Sequence, residues 1–215
     1  LENDTNEIQR GVMMFRRVLF RSLENDTNEI QRGVMMFQDY FGDRVETCEI
    51  LGKTSEPVVF KRAGKGATRT DENNRFAVLL QDGTKVTTGD ILTRTDGSVH
   101  FVVARRNNPM ASIGQTLRSN TKVALYKVSG SAVTGYSKVL ISDSVSAHQK
   151  TVNAAMKLFD SGLLEKTVYT FVIPVYDLKL GDRINGFQVD SIDTTSYEGF
   201  LYVQVSTDNR VIKSV

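Results

Sequence analysis

Tryptophan is absent from this sequence, and it holds one cysteine, two histidines and three prolines in 215 residues. A single cysteine, Cys48, excludes an intrachain disulfide and a four-cysteine zinc site, which leaves a small apolar thiol suited to a core. His100 and His148 have no third histidine, no nearby cysteine and no matched carboxylate spacing, so no metal-ligand pattern forms and no cofactor is expected. No apolar run approaches the roughly 18 residues of a membrane span, and no charged-then-apolar leader opens the chain. The expectation is a soluble intracellular product with no membrane partner. A strong charge imbalance is missing too. Lys and Arg number 27 against 25 Asp and Glu, and residues 39–130 are net +4 while 131–215 are net −1. A nucleic-acid footprint needs a denser basic face than that.

What is present is a β-rich text. Val, Ile, Thr, Phe and Tyr recur in short alternating runs separated by Gly-containing turns. Arg44–Leu51, Val58–Phe60, Phe76–Leu80, Ile91–Leu92, Val99–Ala104 and Thr121–Val128 read as strands, and Asp82-Gly83 and Asp96-Gly97 as tight turns. The small, uncharged Ser129–Gly135 reads as a linker. Beyond it come a strand at Tyr136–Ile141, a helix over 147–160 with Val152, Ala155, Met156 and Phe159 at helical spacing, and a strand at Thr167–Pro174 with both faces apolar. The fold class expected is mainly β, with two small antiparallel barrel or sandwich domains, at 39–128 and 136–215. One short helix belongs to the second domain and another lies at the N-terminus.

That N-terminal helix or arm is read over 23–38, with Asn28 as cap and Ile30, Val34 and Phe37 on one face. Leu23–Phe37 repeats Leu1–Phe15 letter for letter. Structural repeats drift at exposed positions, whereas this copy is perfect and then stops. The separator Arg16–Ser22 back-translates to AGA CGT GTG CTC TTC CGA TCT, a common short-read sequencing adapter, so residues 1–22 are read as an assembly artefact.

Few residues invite a chemical reading. Lys61, Arg62, Lys65 and Arg69 lie in a polar, Gly-containing stretch from 61 to 75 that reads as a long loop or hairpin tip, a candidate contact with a neighbouring subunit or with DNA phosphates. Gly64–Thr68 lacks the four-residue spacing of a phosphate-binding loop. The pair Arg105-Arg106 sits in an irregular connection where a solvated loop is the default. Ser144, His148 and Asp160 can be arranged on paper as a hydrolytic triad, yet no nucleophile elbow or oxyanion loop accompanies them. No catalytic, cofactor or metal residues are assigned, and an enzyme is the least expected class.

The most informative stretch is Asp177–Ile184 running into Gly186–Ile192, with a looser copy at Lys85–Leu92. Gly181 suits a tight corner with positive φ, Asp182 can bond the turn's own amides, and Ile184 returns to the core. Together with Tyr169–Pro174 and Thr207–Arg210, this stretch resembles the small β-barrel stopper and head-completion proteins of tailed-bacteriophage head–tail connectors. The resemblance spans about 136–213, with Phe187 where a tyrosine is common and a helix inserted at 147–159. It implies a structural virion protein that forms a homo-oligomeric ring, binds portal or adaptor and tail proteins, and touches DNA transiently. The alternative is a nucleic-acid-binding small β barrel, against which stands the lack of alternating aromatic and basic residues.

Overall fold

The computed structural model describes residues 41–62, 74–81, 83–108, 111–131, 133–159, 162–207 and 212–214. The repeated segment, the adapter-like separator and the helix expected over 23–38 lie outside the described residues. The chain divides into two compact units between Thr116 and Leu117.

In the first unit a 3-10 turn at Gly42–Arg44 leads into six strands: β1 Glu46–Ile50, β2 Glu56–Arg62, β3 Arg75–Leu80, β4 Ile91–Thr93, β5 Val99–Asn108 and β6 Ala111–Arg118. They pair in the order β1-β2-β3-β6-β5-β4, and β1 pairs with β4, which closes a barrel. Closure leaves no free edge, so short strands suffice to satisfy the ladder. Alternation does the sorting along β1, where Cys48 and Ile50 are buried and Thr47 and Glu49 are exposed. Val58, Val78, Leu80, Val86, Leu92 and Val102 join those two in the interior.

The second unit holds β7 Thr121–Ser131, β8 Gly135–Thr151, a helix α1 at Ala154–Phe159, β9 Tyr169–Pro174, β10 Arg183–Ile184, β11 Phe187–Asp193, β12 Phe200–Ser206 and β13 Ile212–Ser214. Its sheet runs β13-β8-β7-β10-β11-β12-β9, and a further β8–β9 pairing joins the two ends into a ring of six antiparallel strands. β13 lies outside that ring, parallel to β8 at Tyr136–Lys138. As the sequence pattern indicates, β9 is covered on both faces, with Thr170, Phe171, Val172 and Ile173 all buried. α1 is followed by a connection tied down by Gln204, whose Oε1 accepts from Leu164 N at 2.9 Å and Thr167 Oγ1 at 3.0 Å, while its Nε2 donates to the Gly162 carbonyl.

The mainly β, two-domain class expected from the sequence holds, but three of its boundaries move. Ser129–Gly135 does not link domains: it is the tip of the β7–β8 hairpin, with Ser129 opposite Ser137 and Ser131 opposite Gly135. Small uncharged residues serve a flexible tether and a tight turn equally well, and the strands on either side decide between them. Thr121–Val128 therefore belongs to the second barrel and does not close the first. The helix expected over 147–160 is confined to Ala154–Phe159, because β8 continues through Thr151 to pair with Tyr169. Val145, Ala147 and the apolar positions after them fit either period, and pairing with β9 selects the strand.

Gly114 in β6 marks where the first barrel is tightest. A Cβ there would stand 2.7 Å from Val78 Cγ2, and the branched side chain of Val78 is itself fully buried. Gly114→Ala should therefore destabilise the first unit by about 1–3 kcal/mol through overpacking. Urea unfolding followed by amide NMR in each unit will show it, and an unchanged midpoint would contradict the packing described.

Candidate functional site

Two of the four basic residues singled out in the sequence are placed by the fold. Lys61 and Arg62 are the last residues of β2, opposite Ala77 and Phe76 of β3, so the ladder extends into what reads as loop. Lys65 and Arg69 lie outside the described residues. Arg105, read as part of an irregular connection, is in β5, where its guanidinium donates to the Val86 carbonyl and, at 3.1 Å, to Ser112 Oγ. Its charge thus serves the barrel wall.

Of the paper triad, only Ser144 and His148 are among the described residues. His148 is in β8, and its Nδ1 donates to the Arg118 carbonyl at 3.0 Å. Ser144 is exposed, and Asp160 lies outside the described residues. His100 is buried, with Nδ1 3.3 Å from Thr116 Oγ1 and its ring 4.7 Å from Phe60 and 5.0 Å from Phe76. Among the described residues no group of three or more His, Cys, Asp or Glu is placed to hold a metal ion. Cys48 is fully buried in the first barrel. Burial, aided by the negative charge of Glu46 and opposed by Arg94, pushes its thiol up to about 12.

The Gly181-Asp182 corner is structural, and its geometry is explicit. Gly181 has φ 92°, and Asp182, nearly fully buried, places its carboxylate against two main-chain donors. Oδ2 accepts from Lys179 N at 2.7 Å and Oδ1 from Val128 N at 2.9 Å, so one side chain closes the turn and fastens β7 to it. Next to it Asn185, at φ 50°, occupies the tight β10–β11 turn and exchanges two bonds with Ala124: its N donates to the Ala124 carbonyl and its Oδ1 accepts from Ala124 N. At the far end of β11, Asp193 accepts from Thr195 and Ser196, which hold its carboxyl well below the usual range and shape the turn into β12.

The element that sequence reasoning missed is the β7–β8 arm. β7 last meets β10 at Tyr126, and the hairpin then runs on for roughly 15–20 Å to its turn. At the turn Ser131 and Thr134 bond each other through main chain and side chain. Exposed apolar side chains accompany it: Val133 at the tip, 96% exposed, and Val139 and Leu140 on β8, 55% and 51%. Lys138 lies over the Tyr126 ring at 4.9 Å, and Lys127 pairs with Asp177 at the arm's root. β8 also steps out of register near Ile141 and again near Asp143-Ser144, irregularities that twist an edge. The signal in the sequence was the unbroken run of strand-forming residues on both sides of Ser129–Gly135.

Two expectations follow from these groups. Asp182→Ala leaves two part-buried amides without their acceptor and should cost about 1–3 kcal/mol, with Asp182→Asn intermediate, by denaturant unfolding. Cys48 should resist alkylation at pH 8 in the native protein, its thiolate fraction being on the order of one in ten thousand, and should react fully once the chain is unfolded. Rapid native labelling would show that the thiol is reachable.

No protein-family model, no curated protein and no solved structure matches this chain.

Proposed function

We propose that this chain is a structural, non-enzymatic assembly protein: a ring-forming head–tail connector or head-closure component of a tailed-bacteriophage virion. The observation that carries the reading is the β7–β8 arm, which runs on past the last β7–β10 pair and holds Val133, Val139 and Leu140 in solvent. Isolated apolar side chains at a surface are ordinary, but three on one projecting ribbon suit contact with a neighbour. The sequence resemblance over about 136–213 supports the same class. In it the partners are other copies of the chain, portal or adaptor on one side and tail proteins on the other, with the virion as its place after assembly in the host cytoplasm. The end of β2, at Lys61 and Arg62, would lie at a subunit boundary or the lumen. No helix among the described residues is long and apolar enough to cross a membrane.

The test is the state of the purified full chain. Light scattering across a concentration series, with electron microscopy of the heaviest species, should show a closed oligomer with a central opening, and co-purification should recover portal or tail proteins. A monomer at every concentration that binds neither would overturn the reading. Salt-dependent binding to single strands, lost on joint replacement of Lys61, Arg62, Lys65 and Arg69 by Ala, would favour a nucleic-acid-binding barrel instead.

A further inference from the structure

The two units have the same strand order. Walking from β4 through β5, β6, β3, β2 and back to β1 in the first barrel matches walking from β10 through β11, β12, β9, β8 and back to β7 in the second. The chain visits those strands in the same sequence in both. Closed antiparallel barrels of six strands can be wired in many ways, so a shared order alone is suggestive, and the registers go further.

Ile50 stands opposite Leu92 in the first barrel, and Leu125 opposite Ile184 in the second. Leu92 in turn faces His100, and Ile184 faces Phe187. Phe60 faces Val78 where Gln149 faces Phe171, and Arg62 faces Phe76 where Thr151 faces Tyr169. One alignment satisfies all of these pairings, and it carries the core with it. The eight buried residues of the first interior, Cys48, Ile50, Val58, Val78, Leu80, Val86, Leu92 and Val102, fall on Val123, Leu125, Ala147, Phe171, Ile173, Leu178, Ile184 and Val189, each of them buried in the second. Ring contacts follow as well: Phe76 meets His100 edge-on at 5.0 Å and 76°, and Tyr169 meets Phe187 at 4.9 Å and 75°.

The corner repeats bond for bond. Gly89 and Gly181 both have φ 92°. Gly89 N donates to the Val102 carbonyl and Gly181 N to that of Val189. Asp90 N donates to the Thr87 carbonyl and Asp182 N to that of Lys179. Val102 N and Val189 N return to the two aspartate carbonyls. Each Asp Oδ2 accepts at 2.7 Å from the amide three residues earlier.

We infer that the two units are copies of one barrel joined in tandem, and that the arm is an addition to the second copy which the barrel does not need. Between the equivalent positions Ile50 and Glu56 the first copy turns in five residues, Leu51–Ser55, whereas between Leu125 and Val145 the second spends Tyr126–Ser144. The first copy also shows how the corner is served without an arm. Lys53 of that short turn donates from Nζ to Asp90 Oδ2 at 2.7 Å, where the second copy uses the arm's Val128 N on Asp182. A strand-for-strand copy that closes without the ribbon shows that the fold does not require it. The inference concerns the fold and stands apart from the assembly reading.

The experiment exchanges equivalent parts within the full chain. In one variant Tyr126–Ser144 is replaced by the sequence of Leu51–Ser55. In a second, Thr87 and Thr88 become Lys and Leu, as at 179–180. In a third, His100→Phe installs the residue found at its counterpart. Dispersed amide spectra for both units and cooperative melting within about 5–8 °C of the parent are expected in all three, the change that corresponds to roughly 1–2 kcal/mol in units of this size. Loss of the second unit's dispersed amides in the trimmed chain would overturn the claim that the arm is an addition. Melting lowered by more than about 10 °C in both the corner exchange and His100→Phe would overturn the equivalence of the copies.

Discussion

An aspartate carboxylate that bonds the amide three residues before it, half-buried in the first unit and buried in the second, holds each barrel at the point where the chain has least freedom to choose. At both corners the peptide must turn sharply from an irregular segment into a strand of only two or three residues, too short to hold its own register. The aspartate supplies the missing constraint. Its side chain fixes the turn, its main-chain groups begin the hairpin ladder, and in the second unit its other oxygen reaches Val128 on the neighbouring strand. Glycine is required one position earlier because φ near 92° places a Cβ against the preceding carbonyl. Closure of the ring depends on this turn, since β4 and β10 are the strands that meet β1 and β7.

Once closed, each barrel satisfies its own hydrogen bonds, and a protein built this way has little edge to offer. The elements added to the ring provide surface beyond the barrel walls. In the first unit the polar groups near the rim are mostly spent on the barrel: Arg94 forks onto Glu46 and lies over Phe60, Lys53 clamps the corner, and Arg105 braces β5 against the Val86 carbonyl. In the second unit the additions are larger. A helix and its connection fill the passage from β8 to β9, β13 lies along β8, and the arm extends past the wall. The assembly role we propose would use these features and would ask no side chain for acid, base or nucleophilic chemistry. The buried Cys48 and His100 are explained by packing and hydroxyl contacts within the first barrel.

The twin arrangement also accounts for the weakness of the sequence signal. Cys48 against Val123, Val58 against Ala147 and Val78 against Phe171 keep apolar character while changing shape, and a core tolerates such exchanges when total volume is conserved. At the corner the requirement is narrower, because few residues take positive φ and few side chains reach a main-chain amide three positions back. Glycine and aspartate therefore persist in both copies, and they made Lys85–Leu92 visible as a relative of Asp177–Ile184 before any strand was paired.

The sequence by itself determined the β-rich class, the presence of two small domains, the structural role of Gly181 and Asp182 and the doubly covered strand ending at Pro174, because each rests on local alternation or on one residue's conformational range. It also named Lys61 and Arg62, within a stretch read as a loop or hairpin tip. Tertiary structure decided where one unit ends and the next begins, that Ser129–Gly135 is a hairpin tip, that Ala147–Thr151 is strand, and that eight buried positions of the first interior match eight of the second in register. The reason is physical. Whether small residues between two strands tether or turn, and whether an apolar run takes a period of two or of 3.6, is settled by the strand that lies alongside, and in a barrel that neighbour comes from a distant part of the chain.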